Sequence, residues 1–425
     1  MVRSRSSYDG TACFYEKSWL KHDSFILCQR CNKVNLLNFD TLANMKNKKS
    51  FILFLCITFL AFIFKSDIIY FSELASTIAK IKRTKADITD YKHFENVEIL
   101  KSSDPQEWPI HDNYNKTPQT EKLKNLHEEF GTIAFLIIKN DSIWHEKYFS
   151  GYDENSQSNS FSMAKSIVSA TMGKAIEKGF FKSMNDKVGD YIDGYNKGFA
   201  SELTIGDLSS MSSGMDWNES YTNILGVTAR SYITSELNEL IKSREIREPS
   251  GESFKYYSSN TQLLSMTIEK ATNRKISDLV KDWFIDPLGF ENNVLWQIDG
   301  KKNNSIKAYC CFNSNARDFA RFGKLYKDFG KWKGKQILDS TFVANSIKPR
   351  FDQSPEYGYG FWLGEIDNNK FFAMRGILGQ YVIVVPEKNM IIVRLGERNN
   401  EKNNNRPKDF DVYFKESLKM IKTIE

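Results

Sequence analysis

The chain carries strand-like runs near both ends of one domain and helical spacing between them, and that arrangement restricts the fold more than any other feature. Thr132-Ile133-Ala134-Phe135-Leu136-Ile137-Ile138 and residues 143–149 are rich in β-branched and aromatic residues. The turn-like Lys139-Asn140-Asp141-Ser142 between them predicts an antiparallel hairpin. A second block of strands is predicted at 359–365, 370–374, 381–385 and 390–395, with Pro386-Glu387-Lys388-Asn389 as a turn. From Ser162 to about Phe351 the apolar spacing is helical, as in Leu264, Ile268 and Ala271 or Phe319, Phe322, Leu325 and Tyr326. One sheet must therefore be assembled from distant segments. The expected fold is a mixed α and β (α+β) domain, a mainly antiparallel sheet flanked by helices with an α-helical insertion lobe.

The N-terminal part reads differently. Lys46-Asn47-Lys48-Lys49-Ser50 precedes residues 51–64, which carry no charge and end at Lys65. A basic flank before an apolar stretch is the pattern of a signal peptide or membrane anchor, with the remainder of the chain outside the cytoplasm. Fourteen residues fall short of the roughly 20 that cross a bilayer, so Ile68 to Phe71 are expected to extend the span. The expected organisation is an untranslated or disordered extension over 1–44, an anchor or signal over 45–71, a linker and leading arm over 72–120, and a catalytic domain over 121–425. Met45 supplies an alternative start, which N-terminal sequencing that finds earlier residues would exclude.

Composition narrows the partners. A hydrophobic content of 41% in 425 residues suits a globular chain with a substantial core. The net charge of +6 is dispersed, which argues against a nucleic-acid partner. Cys28 and Cys31 have the spacing of half a zinc site, but no second pair completes it, so neither a metal nor another cofactor is expected. Of the six cysteines only Cys310 and Cys311 fall in the domain, and no disulfide framework is implied. There is no Gly-x-Ser-x-Gly elbow, and all five histidines precede Ser162, which disfavours a Ser-His-Asp hydrolase.

Ser162 and Lys165 open a predicted helix that stops near Gly179. Three residues apart on a helix, they share one face, so the amine can take the hydroxyl proton as the serine attacks a carbonyl. That needs a lysine whose pKa is lowered by burial. The spacing alone is weak, since Ser18 and Lys21 also show it. Context comes from Tyr256-Tyr257-Ser258-Ser259-Asn260, from the stretch Leu208 to Trp217, from Asn315-Ala316-Arg317-Asp318-Phe319-Ala320-Arg321-Phe322-Gly323, and from Tyr357-Gly358-Tyr359-Gly360-Phe361-Trp362.

With these motifs in order, the chain resembles the serine β-lactamase-related group of class C β-lactamases, penicillin-binding proteins and serine esterases. Its Tyr256-x-Ser258 and Gly376-x-x-Gly379-Gln380-Tyr381 variants resemble the 6-aminohexanoate-dimer hydrolases within that group. The resemblance implies the β-lactamase/transpeptidase fold and acyl transfer from a small-molecule amide, ester or peptide to water. It places the proton relay at Tyr256, with Tyr257 as the rival register, Ser258 as the second polar group and Trp217 near the substrate. The third family motif aligns with Met374-Arg375-Gly376-Ile377, where the usual cation is missing and Arg375 alternates to the other strand face. Gly376 allows close approach, and the amides of Ile377 and Ser162 are expected to form the oxyanion hole. The alternative is a membrane-anchored peptide- or peptidoglycan-binding protein with little turnover.

Overall fold

In the computed structural model the described residues are 65–400, 402–403 and 406–423. Thr132–Lys139 (β2) and Ser142–Tyr148 (β3) form the expected hairpin, with Asn140 and Asp141 both at positive φ in its tight turn. Trp362–Ile366 (β9), Asn369–Gly376 (β10), Gln380–Val385 (β11) and Met390–Gly396 (β12) complete a six-stranded sheet of order β3-β2-β12-β11-β10-β9. Every neighbouring pair is antiparallel. The first and last thirds of the domain thus meet in the centre of one sheet, where Ile392 pairs with Ile137 and Val393 with Leu136.

Both faces of this sheet are covered, which is why β2, β11 and β12 read as continuous apolar runs. Leu136, Met374, Val382 and Val393 face a core shared with the helices Ala164–Glu177 (α3), Ser258–Thr272 (α5) and Ala316–Lys327 (α6). Phe135, Ile137, Ala373, Ile383 and Ile392 face the opposite way, against Glu121–Glu129 (α2) and Lys408–Lys422 (α7). A second sheet of order β1-β5-β6-β4 joins Asn96–Ile99 (β1), Ser158–Asn159 (β4), Val294–Gln297 (β5) and Phe312–Ser314 (β6). Its strand β4 comes just before the Ser162 turn in the chain, and Ser160 N donates to Phe312 O at 3.0 Å.

The segment 72–120, expected as linker and leading arm, is instead structured. Lys65–Ile81 is a helix (α1), β1 pairs with β5, and Trp108 is buried with its Nε1 donating to Arg317 O at 3.0 Å. Aromatic and aliphatic residues scattered without a period can still dock one by one onto a preformed domain, so periodicity gave no warning. Ile68 to Phe71, read as an extension of the apolar span, belong to α1, where Tyr70 is buried. Residues 51–64, Met45, Cys28 and Cys31 lie outside the described residues. Among the described residues no helix is long and apolar enough to cross a membrane. Cys310 and Cys311 are bonded to each other, a link between neighbours that the cysteine count did not anticipate.

One buried cation fixes the end of β10. Arg394 on β12 is fully buried and donates to the carbonyls of Phe130, Leu378, Gly379 and Arg398 and to Thr132 Oγ1 at 2.7 to 3.1 Å. Gly379 sits at φ +82, and a Cβ there would lie 2.0 Å from Arg394 Nη1. The turn that follows Gly376 is therefore pinned by charge-assisted hydrogen bonds. Arg394→Met leaves these acceptors unsatisfied, so urea unfolding should show a loss of about 3 kcal/mol of stability; an unchanged midpoint would show that the turn does not depend on the guanidinium.

Candidate active site

Ser162 lies in the short 3-10 turn Phe161–Met163 that leads into α3, and Lys165 occupies the first turn of α3 itself. Phe161 is at φ +43, an uncommon backbone state for a large side chain, held by Asn159 Oδ1 accepting from Phe161 N at 2.8 Å. The turn leaves Ser162 partly exposed while every other residue from Ser158 to Ala170 is buried. Lys165 Nζ donates to Ser162 Oγ at 2.9 Å and to the Tyr309 carbonyl at 2.9 Å. Its side chain is all but removed from water at 2% exposure. Burial brings its pKa down to about 8, against the opposing attraction of Glu219.

Tyr256 is the residue of the Tyr-Tyr pair that meets this site. Lys165 Nζ lies 5.2 Å from the centre of its ring, and Ser162 acts on its hydroxyl, lowering the pKa against burial. Burial pushes the phenol up, so it stays protonated at neutral pH. Tyr257 packs against the core instead. Tyr256 stacks on Trp362 at 5.2 Å and 31°, and the Arg375 guanidinium lies 4.2 Å over the other partner in this stack, Trp362. Arg375 thus stands behind an aromatic wall, and burial lowers its pKa to about 10. Met374 is fully buried in the core, so the third-motif cation has no substitute at that position.

Gly376 closes the site from the sheet side. A Cβ at this position would lie 2.3 Å from Ser160 O and 3.2 Å from Phe161 Cβ, so the strand end can pass the nucleophile turn only as glycine. Ile377 follows directly in the turn that Arg394 holds. The polar atoms of Ser258 and Trp217 both turn to Glu219, which the sequence reading did not single out.

Glu219 accepts from Ser258 N at 2.8 Å, Ser258 Oγ at 2.7 Å, Trp217 Nε1 at 2.8 Å and Tyr221 Oη at 2.6 Å. Ser258 is the first residue of α5, and Tyr257 provides no side-chain cap there. A carboxylate from a remote loop therefore caps that helix and fixes the chain two residues after Tyr256. The signal available in the sequence was its place between Trp217 and Tyr221, but nothing local links it to residue 258.

Comparison with known proteins came to the same place. The family model described as Beta-lactamase matches residues 120–412. A 6-aminohexanoate-dimer hydrolase of Paenarthrobacter ureafaciens is 21% identical over 300 residues, covering 64% of this chain and 74% of that protein. A Bacillus anthracis structure described as a 6-aminohexanoate-dimer hydrolase superposes with a TM-score of 0.67 at 20% identity, over 79% of this chain and 92% of that one. A D-stereospecific amidohydrolase from Streptomyces superposes with a TM-score of 0.52 at 15% identity, over 66% and 95% of the two chains.

The lowered pKa of Lys165 has a direct consequence. Only the neutral amine can take a proton, so kcat/KM for an ester should rise with pH through an acidic limb near 8. Glu219→Gln removes the negative charge that favours the ammonium, so the limb should move to lower pH. A pH–rate profile in which the limb stays fixed or moves upward would contradict this electrostatic role.

Proposed function

The chain belongs to the Beta-lactamase family, and from that premise we propose that it is a serine hydrolase that transfers the acyl group of an amide or ester first to Ser162 and then to water. The observation that carries this reading is the 2.9 Å contact between Ser162 Oγ and a lysine amine shielded from water. Lys165 Nζ takes the hydroxyl proton as Oγ adds to the carbonyl carbon. The backbone amides of Ser162 and Ile377 then stabilise the oxyanion. Tyr256, whose ring lies beside Lys165 Nζ, delivers the proton to the leaving nitrogen or oxygen as the carbon–heteroatom bond breaks. Attack of water on the acyl-enzyme, with the same relay acting in reverse, releases the acid and restores Ser162.

The curated relative named above supports a small amide as substrate, of the 6-aminohexanoate-dimer type. Loss of the third-motif cation at Met374 argues against β-lactams as the preferred substrates. The basic run 46–49 followed by the uncharged 51–64 supports export or anchoring, with the catalytic domain outside the cytoplasm. A pure peptide- or peptidoglycan-binding role finds less support, because a binder has no need of a nucleophile beside a neutralised base.

Intact-mass analysis after exposure to a fluorophosphonate probe tests the reading. One adduct is expected, lost in Ser162→Ala, together with steady hydrolysis of a p-nitrophenyl ester. Lys165→Ala should reduce turnover by roughly a thousandfold or more, as members of one catalytic unit fail together. Tyr256→Phe should impair turnover far more than Tyr257→Phe. An unlabelled native protein would remove Ser162 as nucleophile.

A further inference from the structure

Residues 65–92 precede the segment that matches the family model, yet their polar side chains converge on one short stretch, 224–235. Tyr70 Oη donates to the Ile224 carbonyl. Asp67 pairs with Arg230, whose guanidinium also lies 4.7 Å over the Tyr70 ring. Glu73 accepts from Ser235 N at 3.0 Å and from its hydroxyl. Asp90, fully buried, accepts from Tyr232 Oη at 2.7 Å and is paired with Arg83. These are four separate attachments, and all end on one element and its flanks.

The same stretch carries the candidate site. Val227–Ile233 forms a helix (α4) of seven residues, too short to be stable by itself. Thr228 Oγ1 donates to Asn218 O at 2.8 Å and accepts from Ser220 N at 3.2 Å, holding the backbone on both sides of Glu219. Ser231 Oγ donates to Tyr309 Oη at 3.1 Å, and the Tyr309 carbonyl is the second acceptor of Lys165. Displacing α4 therefore displaces Glu219 and Tyr221 at the rim and loosens Tyr309 beneath the lysine. The loop 217–226, which has no regular structure, depends on α4 for its position.

We infer that the segment 65–92 is a splint for the active site, with Asp67, Tyr70 and Glu73 as positioning residues that hold the 217–235 rim against the Ser162 pocket. The inference rests on the serine hydrolase reading. It lets the segment act on the site through Glu219 and Tyr309, while Ser162 itself is anchored in the core through α3.

The test uses the full chain and compares Asp67→Arg, Tyr70→Phe and the charge-reversed pair Asp67→Arg with Arg230→Asp. For p-nitrophenyl ester hydrolysis each single change should lower kcat/KM by about three- to tenfold, the range expected for losing one partly exposed polar contact, and move its acidic limb to lower pH as Glu219 is displaced. The reversed pair should restore most of the loss, and fluorophosphonate labelling should still go to completion in all three. A kcat/KM and an acidic limb unchanged in both single variants, with labelling intact, would overturn the splint alone; so would a reversed pair as impaired as Asp67→Arg. Failure of the unmodified protein to label would overturn the splint and the hydrolase reading together.

Discussion

Keeping one lysine amine out of water is the constraint from which the rest of the site follows. Among the described residues Lys165 has two oxygen acceptors, Ser162 Oγ and the Tyr309 carbonyl, and no carboxylate in direct contact. An ammonium in that position loses hydration without regaining a full counter-charge, so the neutral form gains ground. Glu219 opposes this from a distance, and its effect is felt by Lys165, Tyr256 and Tyr309 alike. The base therefore works in a balance between burial and one carboxylate. Because that carboxylate also caps α5, the geometry of Tyr256 and the electrostatics of Lys165 cannot be varied independently.

A buried base is useful only if the substrate still reaches the nucleophile, and the fold separates the two by a single turn. The strained Phe161 lifts Ser162 out of the packed layer while α3 carries Lys165 back into it. From the opposite side the end of β10 approaches the same turn so closely that residue 376 has no room for a side chain. Arg394 then holds the following turn from beneath. Helix and strand come from segments about two hundred residues apart in the chain, and the central pairing of β2 with β12 is what brings their layers into register.

Much of this was legible in the sequence because it is local. The β2–β3 hairpin, the terminal strands and the Ser162 helix announce themselves through period and turn chemistry, and each lies within two or three residues of its expected limits. The motifs also placed Tyr256 and Gly376 close to Ser162 in space. What stayed hidden is long-range and polar. Glu219 meets Ser258 across 39 positions, and Asp67 meets Arg230 across 163, with no local pattern to connect either pair. Ser258 was read from the family resemblance as the second polar group after Tyr256. At a helix start, however, its hydroxyl and amide point to whatever caps the helix, and here that is Glu219.

Arg375 shows how a missing group can change a site without leaving it empty of charge. In place of a cation beside the nucleophile, the chain sets a half-buried guanidinium one residue later, stacked on Trp362, which in turn stacks on Tyr256. The ring stands between the cation and the phenol, and the Arg375 charge still lowers the Tyr256 pKa against its burial. The wall next to Tyr256 is therefore aromatic, formed with Tyr357. The direction of Arg375 follows from strand alternation: Met374 must fill the core, so the next residue must face the other way.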